Sequence, residues 1–130
     1  KLKTVEDLML KGNKIPFINE NIKMKAALKF ITKKKLGVLI VQNNSKLTKG
    51  IITDGQIRRI NEKKGNLDNL KVKDVMTKNP ISIDKEVLAA RALSLMNLKR
   101  ITSLCVHKDK KKYKTIGVIH IHNILESNIQ

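Results

Sequence analysis

The 130 residues contain no tryptophan, one tyrosine, two phenylalanines, two prolines and a single cysteine. Each shortage removes a class of function. Aromatics at 2% leave no platforms on which unpaired bases could stack, which argues against single-stranded nucleic acid as a partner. The lone Cys105, inside the apolar run SLCVH, cannot form an internal disulfide and fits a reduced, cytoplasmic setting. The longest apolar runs are a few residues, as in GVLIV, so nothing reads as a membrane span. The charged start, KLKTVEDLML, has no apolar signal segment. It also lacks an initiator methionine, which suggests a segment of a longer protein. No P-loop, Cys-x-x-Cys, paired carboxylates or Ser/His/Asp arrangement is visible, so catalysis by this stretch is not expected.

Acidic residues are also few, 11 against 28 lysines and arginines, for a net charge of +17. That balance favours anionic partners. The lysines are nevertheless spread along the chain, with clusters only at TKKK (32–35) and KDKKKYK (108–114). The richness in Ile and Asn is the pattern of AT-rich coding, in which Lys is frequent. Most of the charge therefore reads as solvated surface, and the two clusters as loops that discourage edge aggregation.

What the chain does have is an internal repeat. VEDLM (5–9) matches VKDVM (72–76) at an offset of 67. The segment 21–41 aligns with 86–106 at 65, and GIITDGQI (50–57) with GVIHIHNI (117–124) again at 67. The halves read as 1–62 and 72–130 with a polar linker at 63–71, and neither alone buries much surface. In the second half VKDVMT is a helical turn, and NPISI is extended because Pro80 restricts Asn79. A helix spans 84–100, with Asp84 as cap and Val87, Leu88, Ala92, Leu95 and Met96 as its apolar stripe. Strands at 101–106 and 115–121 flank a basic turn, and a helix closes the half from His122. The first half reads alike: helix 24–33, strand 37–41, turn NNSK, strand 50–53, helix 55–61. The order is β-α-β-β-α, twice.

This pattern resembles a tandem pair of CBS domains across essentially the whole chain. The marks are DVMT-x-NP (74–80), its degenerate partner DLMLKGNKIPF (7–17) and the two glycine-led strand-to-helix exits. The segments DLMLKGNKIP, GIITDGQIRR, VKDVMTKNP, RITSLCV and GVIHIHNIL further resemble the C-terminal half of the arabinose 5-phosphate isomerases. Those enzymes join a sugar isomerase domain to a CBS pair on the route to the lipopolysaccharide sugar Kdo.

The resemblance implies an α/β (α+β) fold of two repeats packed about a pseudo-two-fold axis, with two clefts. It implies a small anionic metabolite, a nucleotide or nucleotide-sugar effector, no required cofactor or metal, an attached isomerase domain and assembly through CBS pairs. Each cleft would be lined by an extended leading segment, a middle strand and an exit. The candidates are Thr53, Asp54, Gln56, Arg58 and Arg59 at one exit and His120, His122 and Asn123 at the other. Thr77, Asn79, Pro80, Ser82, Thr102 and Ser103 supply the leading and middle-strand positions.

The exits make sense as anion sites because a helix start offers free N–H groups, and arginine forks suit phosphate. Gly55 would permit unusual backbone angles there. Gln56 and Asn123 stand where many adenosine-binding relatives place a ribose-binding aspartate, and an amide lacks that charge. A different nucleotide, a nucleotide-sugar or no ligand therefore stay open, as does a ligand-free dimerisation module. His120 and His122, read as i and i+2 on a strand, share a face at metal-ligand spacing, but no third ligand is evident. His120 takes the place of Thr53, so a cleft-facing polar role is preferred over a metal.

Overall fold

The computed structural model describes residues 2–34, 36–64, 67 and 69–127. Along the chain run α1 (Val5–Leu8), a 3-10 turn (Gly12–Lys14), β1 (Phe17–Asn19), α2 (Met24–Lys34) and β2 (Val38–Gln42). Then come β3 (Thr48–Thr53), α3 (Asp54–Lys64), α4 (Val72–Val75), β4 (Thr77–Lys78) and β5 (Ser82–Asp84). The chain continues through α5 (Ala89–Lys99), β6 (Ser103–His107), β7 (Gly117–His120) and α6 (Ile121–Leu125). The β-α-β-β-α order thus occurs twice, from β1 to α3 and from β5 to α6.

The compact units do not coincide with the sequence repeats. One is continuous, Pro16–Pro80; the other is composite and joins Lys1–Ile15 to Ile81–Gln130. The only two prolines bound the continuous unit. Within it, β1 runs parallel to β2, and β2–β3–β4 are antiparallel. In the composite unit β5 is parallel to β6, β6 antiparallel to β7, and Leu10 bridges Val118 beyond β7. Each unit therefore takes the leading segment of the other repeat against its last strand.

The two leading helices dock by equivalent bonds. In the composite unit the Val5 and Glu6 N–H groups donate to the Val87 and Lys85 carbonyls, at 2.8 and 3.0 Å. In the continuous unit Val72 and Lys73 donate to Ile22 and Glu20, at 2.8 and 2.9 Å. The aspartates of the DLM and DVM motifs cap these short helices: Asp7 Oδ2 accepts the Thr4 N–H at 2.8 Å and Asp74 Oδ2 the Lys71 N–H at 2.9 Å. Lys85 Nζ also reaches Glu6 Oε1 at 3.1 Å.

The helices α2 and α5 are each held by an i, i+3, i+7 stripe. Met24, Ala27 and Ile31 of α2 pack on Leu39, Val41 and Ile52; Ala89, Ala92 and Met96 of α5 pack on Leu104, Val106 and Ile119. An 11-residue helix is marginal alone. Burying a Met or Ile contributes about 1.5–3 kcal/mol, so packing outweighs propensity here.

Several local expectations change. The helix expected from Asp84 starts at Ala89, because Asp84 ends β5 and turns its Oδ1 to the Glu86 N–H at 2.9 Å. Leu88, expected in the stripe, is 41% exposed. Asn79 is not extended: it takes the left-handed region at φ 53, which asparagine tolerates beside the restricted Pro80. In the stretch read as a polar linker, Leu67 is buried in the core of the continuous unit; residues 65, 66 and 68 lie outside the described ones. The closing helix begins at Ile121 and not at His122, and its expected end at 128–129 also lies outside the described residues.

Two glycines admit the leading segments. A Cβ on Gly50 would lie 2.7 Å from both the Met76 sulfur and the Thr77 carbonyl oxygen. One on Gly117 would strike the Met9 sulfur and come within 3.0 Å of the Leu10 carbonyl. Gly50→Ala and Gly117→Ala are each expected to destabilise the fold by about 1–3 kcal/mol, as overpacking does. Urea unfolding of both variants measures this; an unchanged midpoint for Gly50→Ala, where backbone blocks the Cβ, would contradict the packing described.

Candidate functional site

The two exits are built differently. In the continuous unit β3 runs directly into α3. The Thr53 hydroxyl accepts the Gln56 N–H at 3.1 Å, and the Asp54 N–H donates to the Gly37 carbonyl at 3.0 Å. Gly55 lies in the helix without a positive φ; the left-handed glycine at this junction is Gly37, φ 70, where a Cβ would press the Asp54 carboxylate at 3.3 Å. What Gly55 supplies is room, since its Cβ would meet Arg59 Nη1 at 3.3 Å. The Arg59 guanidinium thus folds back onto the first turn of α3. Arg58 instead lines an open groove of about 580 Å³ along the helix, with Asp54, Ile57, Asn61 and Glu62.

Gln56 is tied down, its side-chain amide donating to the Val75 carbonyl at the end of α4. Thr77 sits on β4 opposite Ile51, two residues along the strand from Thr53, and is exposed like Asn79; Pro80 is half-buried. The structure therefore gathers Thr53, Asp54, Gln56 and Arg59 around one helix start and leaves Arg58, Thr77 and Asn79 outside that cluster.

In the composite unit β7 ends at His120, which caps α6. Its Nδ1 accepts the His122 N–H at 3.1 Å, while its own N–H donates to Asn123 Oδ1 at 2.8 Å. The Ile121 N–H donates to the carbonyl of Thr102, whose side chain is exposed. This corrects the strand reading of the histidines. His122 lies in the helix, and the rings stack with centroids 4.8 Å apart and planes at 26°. Among the described residues no His, Cys, Asp and Glu group could hold a metal ion. At α3 the Asp54 and Gln56 N–H groups are taken by Gly37 and Thr53, and at α6 those of Ile121 and His122 by Thr102 and His120, so neither exit presents the fully bare helix start that an anion site was expected to use.

A buried polar stripe runs along β6. Leu104 and Val106 face the core, so Ser103, Cys105 and His107 share the opposite face, and all three are buried. His107 Nδ1 and Ser82 Oγ are 2.6 Å apart. Ser103 pairs in register with His120, and its buried Oγ has no hydrogen-bond partner among the described residues. Burial pushes the Cys105 thiol up to about 11, against a smaller opposing effect of its hydrogen bond to Thr115. That thiol is packed and unreactive.

Sequence reasoning passed over His107 and Thr115. The available signal was the alternation Ser103, Cys105, His107 against Leu104 and Val106, which marks a strand with two buried faces.

Burial is also the main reason that His107 and His120 titrate below the usual histidine value of 6.5. Lys112 adds to the effect at His107, opposed by Asp84, and His122 adds to it at His120. A histidine depressed in the fold binds its proton more readily when unfolded. Its contribution to stability is present above 6.5 and is lost as the pH falls through the folded value. Urea midpoints should decline from pH 7 to pH 5, and less steeply in His107→Asn, which keeps a polar group near Ser82. A flat wild-type profile over that interval would contradict the burial of these rings.

The CBS domain family matches residues 5–63 and 72–129. Arabinose 5-phosphate isomerase KdsD of Yersinia pestis is 35% identical over 125 residues, covering 96% of this chain and 37% of that relative. The chain thus spans little more than a third of its length. Among solved structures, a CBS-domain containing protein of Agrobacterium tumefaciens superposes at a TM-score of 0.87, with 17% identity and 98% and 95% of the two chains covered. CBSX2 of Arabidopsis thaliana, solved in complex with AMP, superposes at 0.79, with 20% identity over 96% and 95%. Two matched repeats filling nearly the whole sequence, folded as two β-α-β-β-α units, make this chain a member of the CBS-domain family, as a tandem pair.

Proposed function

We propose that this CBS pair is the regulatory part of an arabinose 5-phosphate isomerase, on the route to the lipopolysaccharide sugar Kdo. It binds an anionic nucleotide or nucleotide-sugar at its exits and changes the activity of the attached enzyme. The observation that carries this reading is the 35% identity to KdsD across 96% of the chain. The AMP complex of CBSX2 supports a nucleotide as effector.

In this reading the phosphate lies against the first turn of α3, where the Arg59 guanidinium sits beside Gly55 and the helix dipole adds positive potential. With the Asp54 and Gln56 N–H groups already taken, the arginine supplies the main contact. A ligand that stabilises one arrangement of the module over another shifts the enzyme by its difference in affinity for the two, which is the whole content of regulation here. The site residues named from the sequence enter as proposed contacts. The protein acts in the cytoplasm; among the described residues no helix is long and apolar enough to cross a membrane.

A second reading, assembly through the pair without any ligand, is favoured by one observation. Leu98 of α5 and Leu125 of α6 are 77% and 54% exposed on helices that pack together.

Thermal-shift measurement of the chain against nucleoside monophosphates and nucleotide-sugars separates the two. A ligand at about 100 times its dissociation constant stabilises by about 2.7 kcal/mol, a shift of several degrees, and Arg59→Ala should remove most of it. Absence of any shift across such a panel, together with a concentration-dependent dimer lost in Leu98→Glu, would replace the sensor reading with the assembly one.

A further inference from the structure

The two basic clusters of the sequence fare differently in the fold. Lys33 and Lys34 of TKKK close α2, where cations suit the negative end of the helix dipole, and the Lys34 ammonium lies 5.2 Å over the Phe30 ring. KDKKKYK (108–114) has no such explanation. Its expected role, keeping a sheet edge from pairing, does not fit. It joins β6, the middle strand of its sheet, to β7, whose far side is already covered at Val118 by Leu10. The lysines stand at a hairpin tip and not along an open edge.

Composition does not explain the cluster either. The corresponding connection from β2 to β3, residues 43–47, reads NNSKL and carries one lysine, against five in residues 108–116 between β6 and β7. Asparagine and lysine codons are equally poor in G and C, so AT-rich coding does not choose between the two hairpins. All seven residues of KDKKKYK are exposed, and none of its lysines makes an ion pair among the described residues. The turn closes on itself. The N–H groups of Lys111, Lys112 and Lys114 donate to the carbonyls of Lys108, Lys110 and Lys111, at 3.2, 3.0 and 3.1 Å, and Asp109 takes the left-handed region at φ 58. These bonds gather five lysines at one tip against their mutual repulsion. Among them stands Tyr113, the only tyrosine of the chain, 54% exposed.

We propose that this hairpin is a membrane-surface contact, by which the protein docks on the anionic headgroups of a bilayer. Clustered lysines are attracted to such a plane of charge. The tip holds no arginine fork, asparagine or glutamine for base edges, which disfavours nucleic acid as the partner. A tyrosine, apolar in its ring and polar at its end, suits the boundary between headgroups and acyl chains. This contact is independent of the ligand reading above, since it uses none of the exit residues.

The test is flotation of the chain with two sets of vesicles, one of phosphatidylcholine alone and one of equal parts phosphatidylcholine and phosphatidylglycerol. The chain should bind only the anionic set, and less as salt is raised. Each lysine near an anionic surface is worth roughly fivefold in partition, so the triple variant Lys110→Glu, Lys111→Glu, Lys112→Glu should weaken binding about 100-fold. Arginine at the same three positions should preserve it. The triple variant Lys25→Glu, Lys29→Glu, Lys33→Glu, at exposed positions of α2, makes the same change in net charge and should keep most of the binding.

Equal loss in the two glutamate variants would assign the attraction to net charge and overturn the inference. So would equal binding to both vesicle sets, no binding to either, or a tighter hold on duplex DNA that is lost in the same hairpin variant. Melting curves check that each variant folds. Should the glutamate hairpin variant unfold, Lys110→Asn, Lys111→Asn, Lys112→Asn removes the charge with a residue that the β2–β3 turn uses, and must itself lose the vesicles if the contact is real.

Discussion

The close approach of a methionine to a glycine, made twice, holds each unit of this protein together. Met76 fills the space left by Gly50, and Met9 the space left by Gly117. Around each contact a short helix capped by its own aspartate donates two backbone N–H groups to a turn of the other repeat. Neither repeat completes its own sheet, because the strand edge beyond β3 or β7 is covered by the segment leading into the other repeat. Exposed sheet edges invite wrong pairing. Here the exchange closes them with the same few residues that link the halves, so separating the repeats would open both edges and both cores.

That shared frame leaves the exits free to differ. Both start a helix directly from a strand and both cap it, but one uses the threonine hydroxyl and the other an imidazole and an amide. The consequences are electrostatic. Arg59 lies over the first turn of α3, while the β7–α6 junction carries no cation and faces a strand with buried hydroxyl, thiol and imidazole groups. Leu98 and Leu125 are exposed on α5 and α6, which pack together within the composite unit.

Much of this architecture was legible in the sequence. The 65- to 67-residue offsets, the apolar periodicity and the glycine-led strands were enough for two β-α-β-β-α repeats and for most element positions. The misplacements share a cause. Asp84, Asn79 and His120 are polar residues at junctions: the side chains of Asp84 and His120 take backbone N–H groups, and Asn79 adopts the left-handed region. Which competitor wins depends on neighbours that local pattern does not contain. The buried polar stripe on β6 was missed for a related reason, since burial of both faces of a strand is a property of what covers it.

The sequence alone determined that the chain is a duplicated β-α-β-β-α module with glycine-led exits, because periodicity and repetition are local and survive in any fold that the chain adopts. It could not determine which glycine receives which methionine. Gly50 and Gly117 offer near-identical notches, so Met9 could have paired within its own repeat as plausibly as across to the other. Only the tertiary structure decided in favour of exchange, and with it which residues share a core. Likewise the sequence named Ser103 and His120 separately, but only strand register put them opposite one another. Register is a long-range choice, made by packing and not by the residues that it brings together.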